Sequence, residues 1–154
     1  MTQTIECIIN GRKVQFSITG SETLLECLRE QAGLTGAKRG CDEGDCGACT
    51  VLMDGRPVNA CLVLAAEAAG SDITTIEGIG QEGKKHPLQQ AFIEQDAVQC
   101  GFCTPGMILT AAALLKENEK PTENEIRQYL QGNLCRCTGY SRIVRAVQAA
   151  SRVR

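Results

Sequence analysis

The sequence predicts an α+β chain in two unlike halves, a small mixed sheet packed on one helix and then an all-α bundle of four short helices. Three observations predict it. Two stretches of period-two alternation lie before residue 60, the composition changes after Gly78, and helical periodicity runs through most of the remaining chain. The halves are read as 1–78 and 79–154.

In residues 3–10, Ile5, Cys7 and Ile9 share one strand face, and Asn10-Gly11 turns the chain into Val14, Phe16 and Ile18 with the same period. Ser21 and Glu22 open a short helix whose apolar face is Leu24, Leu25 and Leu28, ending near Gly33. Residues 36–49, GAKRGCDEGDCGAC, are a glycine-rich loop. Val51 and Leu52, the Asp54-Gly55 turn and Val58 make a second hairpin. Cys61 starts an alanine-rich helix to about Ala69, and Ile73 to Ile76 is a closing strand.

After the linker GIGQEGKK, helices are expected at 87–97, 105–117, 123–131 and 141–152. Their inward residues include Leu88 and Phe92, Ile108 and Leu115, Ile126 and Leu130, and Ile143 and Val147. No internal repeat or low-complexity segment is found.

With 154 residues and 43% hydrophobic content, there is material for two small cores, yet aromatics are only 3%. Halves of this size bury little surface and call for a staple, which a metal centre in each would supply. The net charge of −2 and the absence of a basic stripe indicate neither nucleic acid nor an anionic membrane as partner. The N-terminus has no basic flank and apolar run, and no segment approaches a membrane span, so a cytoplasmic protein is expected. In a reducing compartment ten cysteines, eight of them in clusters, point to metal ligation rather than disulfides.

Cys41, Cys46, Cys49 and Cys61 read C-x4-C-x2-C-x11-C, and the first three match the plant-type 2Fe-2S spacing. Gly40, Gly44 and Gly47 let the backbone approach the centre and aim N–H groups at sulfur. A zinc knuckle or buried thiols are the competing readings. Cys100, Cys103, Cys135 and Cys137 form a second set. Thr104-Pro105 and Thr138–Ser141 place both pairs just before helix starts, where partial positive charges favour an anionic centre. For CGFC alone a thiol–disulfide motif competes, although the preceding residues read as helix rather than strand, and structural zinc is the other alternative.

Cys7 and Cys27 belong to no spacing pattern and are read as core. His86 is the only histidine, which rules out a Rieske site; it is expected to be exposed in the linker. Asp42, Glu43 and Asp45 read as a solvated face, and Lys38 and Arg39 as charges offsetting a cluster.

With both sets placed, the chain resembles the small iron–sulfur subunit of the molybdenum hydroxylases, the xanthine dehydrogenase family. The carrying motifs are GCDEGDCGACTV at 40–51, Cys61, VQCGFCTPGMI at 98–108 and GNLCRCTGY at 132–140, nearly end to end. The resemblance implies an N-terminal beta-grasp 2Fe-2S ferredoxin-like domain followed by a four-helix 2Fe-2S-binding domain. It implies two 2Fe-2S clusters in this chain, a large molybdopterin-binding subunit and an FAD-binding medium subunit as partners in a hetero-oligomer. Electrons then pass from molybdenum through the helical-domain centre and the beta-grasp centre to FAD. Gln99 and Cys137 contact the pterin by the same resemblance. The resemblance implies that the chain does no substrate chemistry itself. The chain looks closest to xanthine dehydrogenase small subunits, which implies xanthine or another purine or N-heterocycle as substrate of the holoenzyme. Carbon monoxide, nicotinate, aldehyde and aromatic acyl-CoA enzymes of the family share the same motifs. A free-standing two-cluster ferredoxin and a zinc-stabilised interaction module are the rival readings.

Overall fold

The computed structural model describes residues 2–81 and 83–153. Its first half is a five-stranded mixed sheet in the order β2-β1-β5-β3-β4. The strands are β1 (Gln3–Ile9), β2 (Arg12–Ile18), β3 (Thr50–Met53), β4 (Arg56–Asn59) and β5 (Asp72–Thr74). Both hairpins close as two-residue turns with positive φ at each turn position, 51° and 77° at Asn10-Gly11 and 51° and 80° at Asp54-Gly55. That backbone matches the twist of the flanking strands. Register pairs Ile5 with Phe16 and Cys7 with Val14, so the apolar residues of the first hairpin share one face. The central strand β5 runs parallel to β1 and antiparallel to β3.

The inner face packs on α1 (Leu24–Glu26), which continues as a π-helical turn over Cys27–Gln31. Thr23 rather than Ser21 caps it: the Thr23 hydroxyl accepts from the Glu26 amide, and the Glu26 carboxylate accepts from the Thr23 amide. Phe16, Ile18, Leu24, Leu25, Leu28, Val51 and Ile73 are fully buried together. Each such side chain contributes about 1.5–3 kcal/mol relative to exposure. Gln31 trades hydrogen bonds with both backbone groups of Ser17, at 3.0 and 2.9 Å, blunting the open edge at β2.

The alanine-rich helix expected from Cys61 is not formed. A 3-10 turn over Ala65–Ala68 stands there, with Ala65 and Ala68 buried and Leu62 and Leu64 exposed. Connections at both ends fix this short crossing: the Leu24 amide donates to the Val63 carbonyl, and the Gly70 amide to the Glu6 carbonyl. Helical propensity yields to the need to bridge two fixed points. The closing strand is also earlier and shorter than expected, since Ile76 already begins a 3-10 turn.

Past the linker come α2 (Pro87–Glu94), α3 (Thr104–Glu117), α4 (Glu123–Tyr129) and α5 (Ser141–Ala150), with a 3-10 turn at Leu130–Gly132. His86 is not a free linker residue. It is half-buried and caps α2, its Nδ1 accepting from the Leu88 amide at 3.2 Å. Helix α3 is buried almost all round, from Met107 and Leu109 to Thr110 and Leu114. It lies between β3 on one side and α2 and α4 on the other, and so joins the two cores.

Candidate metal centres and the seam between them

The first cysteine loop is closed by the Lys38 amide, which donates to the Ala48 carbonyl at 2.9 Å, and by Asn59 Nδ2, which donates to the Gly44 carbonyl at 2.9 Å. Two glycines there are obligatory. Gly44 and Gly47 have φ of 88° and 65°, and a Cβ on Gly47 would sit 2.3 Å from the Gly132 carbonyl oxygen. The Glu43, Cys46 and Asp45 amides point at Cys41 Sγ, with Cys46 N at 3.4 Å. Those donors, Glu43 first, hold the Cys41 thiol down to about 7. Cys49 and Cys61 are buried with their sulfurs 3.4 Å apart, and burial pushes the Cys49 thiol up to about 12.

Asp42, Glu43 and Asp45 are exposed, as expected of a solvated face. Lys38 and Arg39 have other partners. Arg39 pairs with Glu26 at 3.2 Å and Asp42 at 3.1 Å, and Lys38 Nζ donates to the Thr35 carbonyl.

In the second set Cys100 and Cys137 are exposed, with their sulfurs 3.5 Å apart. Cys103 is half-buried and is the residue from which α3 springs, with Thr104 already helical and Pro105 in the first turn. Burial raises the Cys103 thiol to about 12, and its neighbour Cys135 adds to the shift. Burial also pushes the Cys135 thiol up, but hydrogen bonds from the Thr138 hydroxyl and amide and the Cys137 amide outweigh it and leave the group below its ordinary value.

Tyr140 stands in a left-handed conformation, φ 69°, at the start of α5. Such a conformation is strained by about 1–2 kcal/mol for a side chain of this size. The fold holds it there because its hydroxyl accepts from the Cys135 amide at 2.9 Å and its amide donates to Thr138 Oγ1 at 3.2 Å. Gln99 and Cys137 are 38 residues apart in sequence but adjacent in space: Gln99 Nε2 donates to the Cys137 carbonyl at 3.2 Å, on an exposed face. Cys7 and Cys27 are core residues at 1% and 0% exposure, remote in role from both sets.

Among the described residues, no three metal-binding side chains crowd onto one point; Cys49 stands close to Cys61 and Cys100 to Cys137. A tetrahedral metal with sulfur at about 2.3 Å separates two thiolates by roughly 3.8 Å, close to the observed pair distances. One such close pair stands in each set, and with the two further cysteines of the set it makes the four thiolate donors that a two-iron centre requires, so the residues present fit that group.

Spacing alone did not reveal Asn133 and Leu134. Asn133 is buried, and its Nδ2 donates to the Gly47 carbonyl at 3.0 Å and to Thr50 Oγ1 at 3.2 Å. The Leu134 amide donates to the Cys46 carbonyl at 2.9 Å. The first cysteine loop is thus bonded to the residues just before Cys135. The only sequence signal was position, inside the GNLCRCTGY segment.

Comparison with known proteins gives matches end to end. A family profile described as a 2Fe-2S iron-sulfur cluster binding domain matches residues 7–74, and one described as a 2Fe-2S binding domain matches 75–148. The chain is 52% identical over 147 residues to the nicotinate dehydrogenase small FeS subunit of Eubacterium barkeri, covering 96% of this chain and 94% of that protein. It is 55% identical over 148 residues to the xanthine dehydrogenase iron-sulfur-binding subunit of Escherichia coli O157:H7, covering 95% and 92%. Among solved structures, a chain of quinoline 2-oxidoreductase from Pseudomonas putida 86 superposes with a TM-score of 0.95 at 45% identity, covering 98% of this chain and 94% of that one. Aldehyde oxidoreductase from Desulfovibrio desulfuricans gives 0.94 at 44% identity, covering 98% of this chain and 17% of that longer one.

Proposed function

The chain belongs to the small iron–sulfur subunits of the molybdenum hydroxylases, the xanthine dehydrogenase family, and from that premise we propose how its residues serve the electron-transfer role. A 2Fe-2S centre, when bound, supplies one-electron exchange without proton or bond chemistry in the protein. Cys41, Cys46, Cys49 and Cys61 hold one centre in a beta-grasp domain of residues 1–78. Cys100, Cys103, Cys135 and Cys137 hold the other in a four-helix domain of residues 79–154. The observation that carries this assignment is the pairing of thiols, 3.4 Å for Cys49 with Cys61 and 3.5 Å for Cys100 with Cys137, one close pair in each half.

The exposed pair Gln99 and Cys137 faces the large, molybdopterin-binding subunit, with both residues at the pterin; their mutual hydrogen bond and exposure support that reading. The sheet half faces an FAD-binding subunit, and the assembly works in the cytoplasm. No helix among the described residues is long and apolar enough to cross a membrane. The relatives named for nicotinate and xanthine, at 52% and 55% identity, favour an N-heterocycle or purine as substrate of the holoenzyme.

Electron paramagnetic resonance of the dithionite-reduced protein tests the count of centres. Two distinguishable signals are expected, and one signal per chain overturns the proposal. Recovery from native cells as a lone monomer would instead support a free-standing ferredoxin, and zinc without acid-labile sulfide a zinc module.

A further inference from the structure

Four polar side chains are buried among the described residues, Thr50, Thr75, Thr110 and Asn133, and three of them form one network across the seam. Thr110 on α3 donates its hydroxyl to Asn133 Oδ1 at 2.9 Å, which fixes the amide's orientation. The opposite end, Nδ2, donates to the Gly47 carbonyl and to Thr50 Oγ1. The Thr50 hydroxyl in turn donates to the Gly47 carbonyl at 2.7 Å, and the Thr50 amide to the same oxygen at 3.1 Å. One carbonyl therefore takes three donors, two from its own turn and one from the other half of the protein.

That carbonyl belongs to the peptide between Gly47 and Ala48, inside the span from Cys46 to Cys49. In a trans peptide the N–H lies antiparallel to the C=O, so whatever fixes the carbonyl also fixes the amide. Amides aimed at an iron–sulfur centre stabilise its more negative, reduced state and raise its potential. Space confirms how closely the halves are fitted here. A Cβ on Gly106 of α3 would lie 2.4 Å from the Gly47 oxygen, and one on Gly47 would lie 2.6 Å from Asn133 Nδ2.

We infer that Asn133, although only two residues before Cys135 of the second set, is a positioning residue for the first: it orients the Gly47–Ala48 peptide and so lets the helical half set the redox behaviour of the sheet half. Simple packing does not account for it. With Asn133 removed, the Gly47 carbonyl keeps both Thr50 donors and the Leu134 amide still holds the Cys46 carbonyl, so the turn persists while the Gly47–Ala48 peptide loses its only side-chain donor from the other half among the described residues. The inference rests on the ligand assignment proposed for the two cysteine sets.

The test is a potentiometric titration of the assembled, cluster-loaded protein, following both paramagnetic signals, with the first-set signal identified by its loss in Cys49→Ser. In Asn133→Ala the first-set signal should move to lower potential while the second-set signal stays at its wild-type value. In Asn133→Asp, where a carboxylate faces the Gly47 carbonyl, the shift should be larger in the same direction. Thr110→Val frees the amide without touching either cysteine loop and should give a smaller shift of the same sign. It decides the matter alone if the Asn133 variants fail to load their full iron and labile sulfide. An unmoved first-set signal, or a second-set signal that moves more than the first, overturns the inference. A wild-type protein with fewer than two signals overturns the ligand assignment instead.

Discussion

The Leu134 amide donates to the Cys46 carbonyl at 2.9 Å, joining the segment that leads into Cys135 to the loop that presents Cys41 and Cys46. The two cysteine sets are therefore joined along one hydrogen-bonded seam, although they lie in halves of different architecture.

The seam predicts how Gly106 responds to substitution. In Gly106→Ala the added methyl meets a backbone oxygen 2.4 Å away, which no side-chain rotation relieves. The halves must part slightly, and the chain should lose about 1–3 kcal/mol of stability. Guanidinium unfolding of the loaded protein measures this; an unchanged midpoint would mean that the contact between α3 and the first loop bears no strain.

The proposed assignment of two separate ligand sets predicts separable losses. Cys103→Ser should remove one paramagnetic signal and about half of the iron and labile sulfide while leaving the other signal intact, and Cys49→Ser should do the reverse. Simultaneous loss of both signals from a still-folded chain would refute the partition.

Cys7 and Cys27 should behave as core residues. Cys7 Sγ donates to the Ala68 carbonyl at 3.1 Å, and burial raises the Cys27 thiol to about 11. Cys7→Ala and Cys27→Ala are expected to keep both signals and to cost roughly 1 kcal/mol each in stability. Loss of iron in either variant would contradict their exclusion from the ligand sets.

Tyr129 predicts an alkaline effect. Burial and the hydrogen bond to Glu117 at 2.9 Å raise its hydroxyl from 10.0 to about 12. The folded chain thus holds this proton more tightly than the unfolded chain. The stabilisation is complete below about pH 10 and is lost as the pH rises toward 12. Partial exposure limits it to the order of 1 kcal/mol. The stability difference between wild type and Tyr129→Phe in urea should be constant from about pH 7 to 10 and shrink above that.

Gln99 predicts a defect in coupling to the large subunit. Gln99→Ala should retain both signals and normal iron, yet slow reduction of the small subunit by substrate in single-turnover experiments on the assembled enzyme. An unchanged rate would remove Gln99 from the contact with that subunit.

Local chemistry made much of this protein legible in its sequence. The hairpins followed from Asn-Gly and Asp-Gly turns between period-two stretches, and the helices after residue 86 from their apolar spacing. The grouping of the cysteines was legible because it is written at short, fixed intervals, the pattern expected of a metal-binding loop. The stretch after Cys61 misled for the same reason: alanines read as helix when only their own propensity is weighed, whereas the two points that the segment must connect leave room for one 3-10 turn.

By itself, then, the sequence determined that a strand-rich half precedes a helical one, how the cysteines group, and the buried character of Cys7 and Cys27. Only the tertiary structure decided how the sets relate. It set His86 as a helix cap, paired Arg39 with carboxylates, held Tyr140 in a strained turn, and brought Asn133 to Gly47 across 86 residues. A side-chain cap such as His86 on Leu88 and a bond between distant segments such as Asn133 on Gly47 alike leave no period or spacing behind. The Asn133 contacts persist because a buried amide left unpaired is costly, and the packing of the halves satisfies both ends of this one.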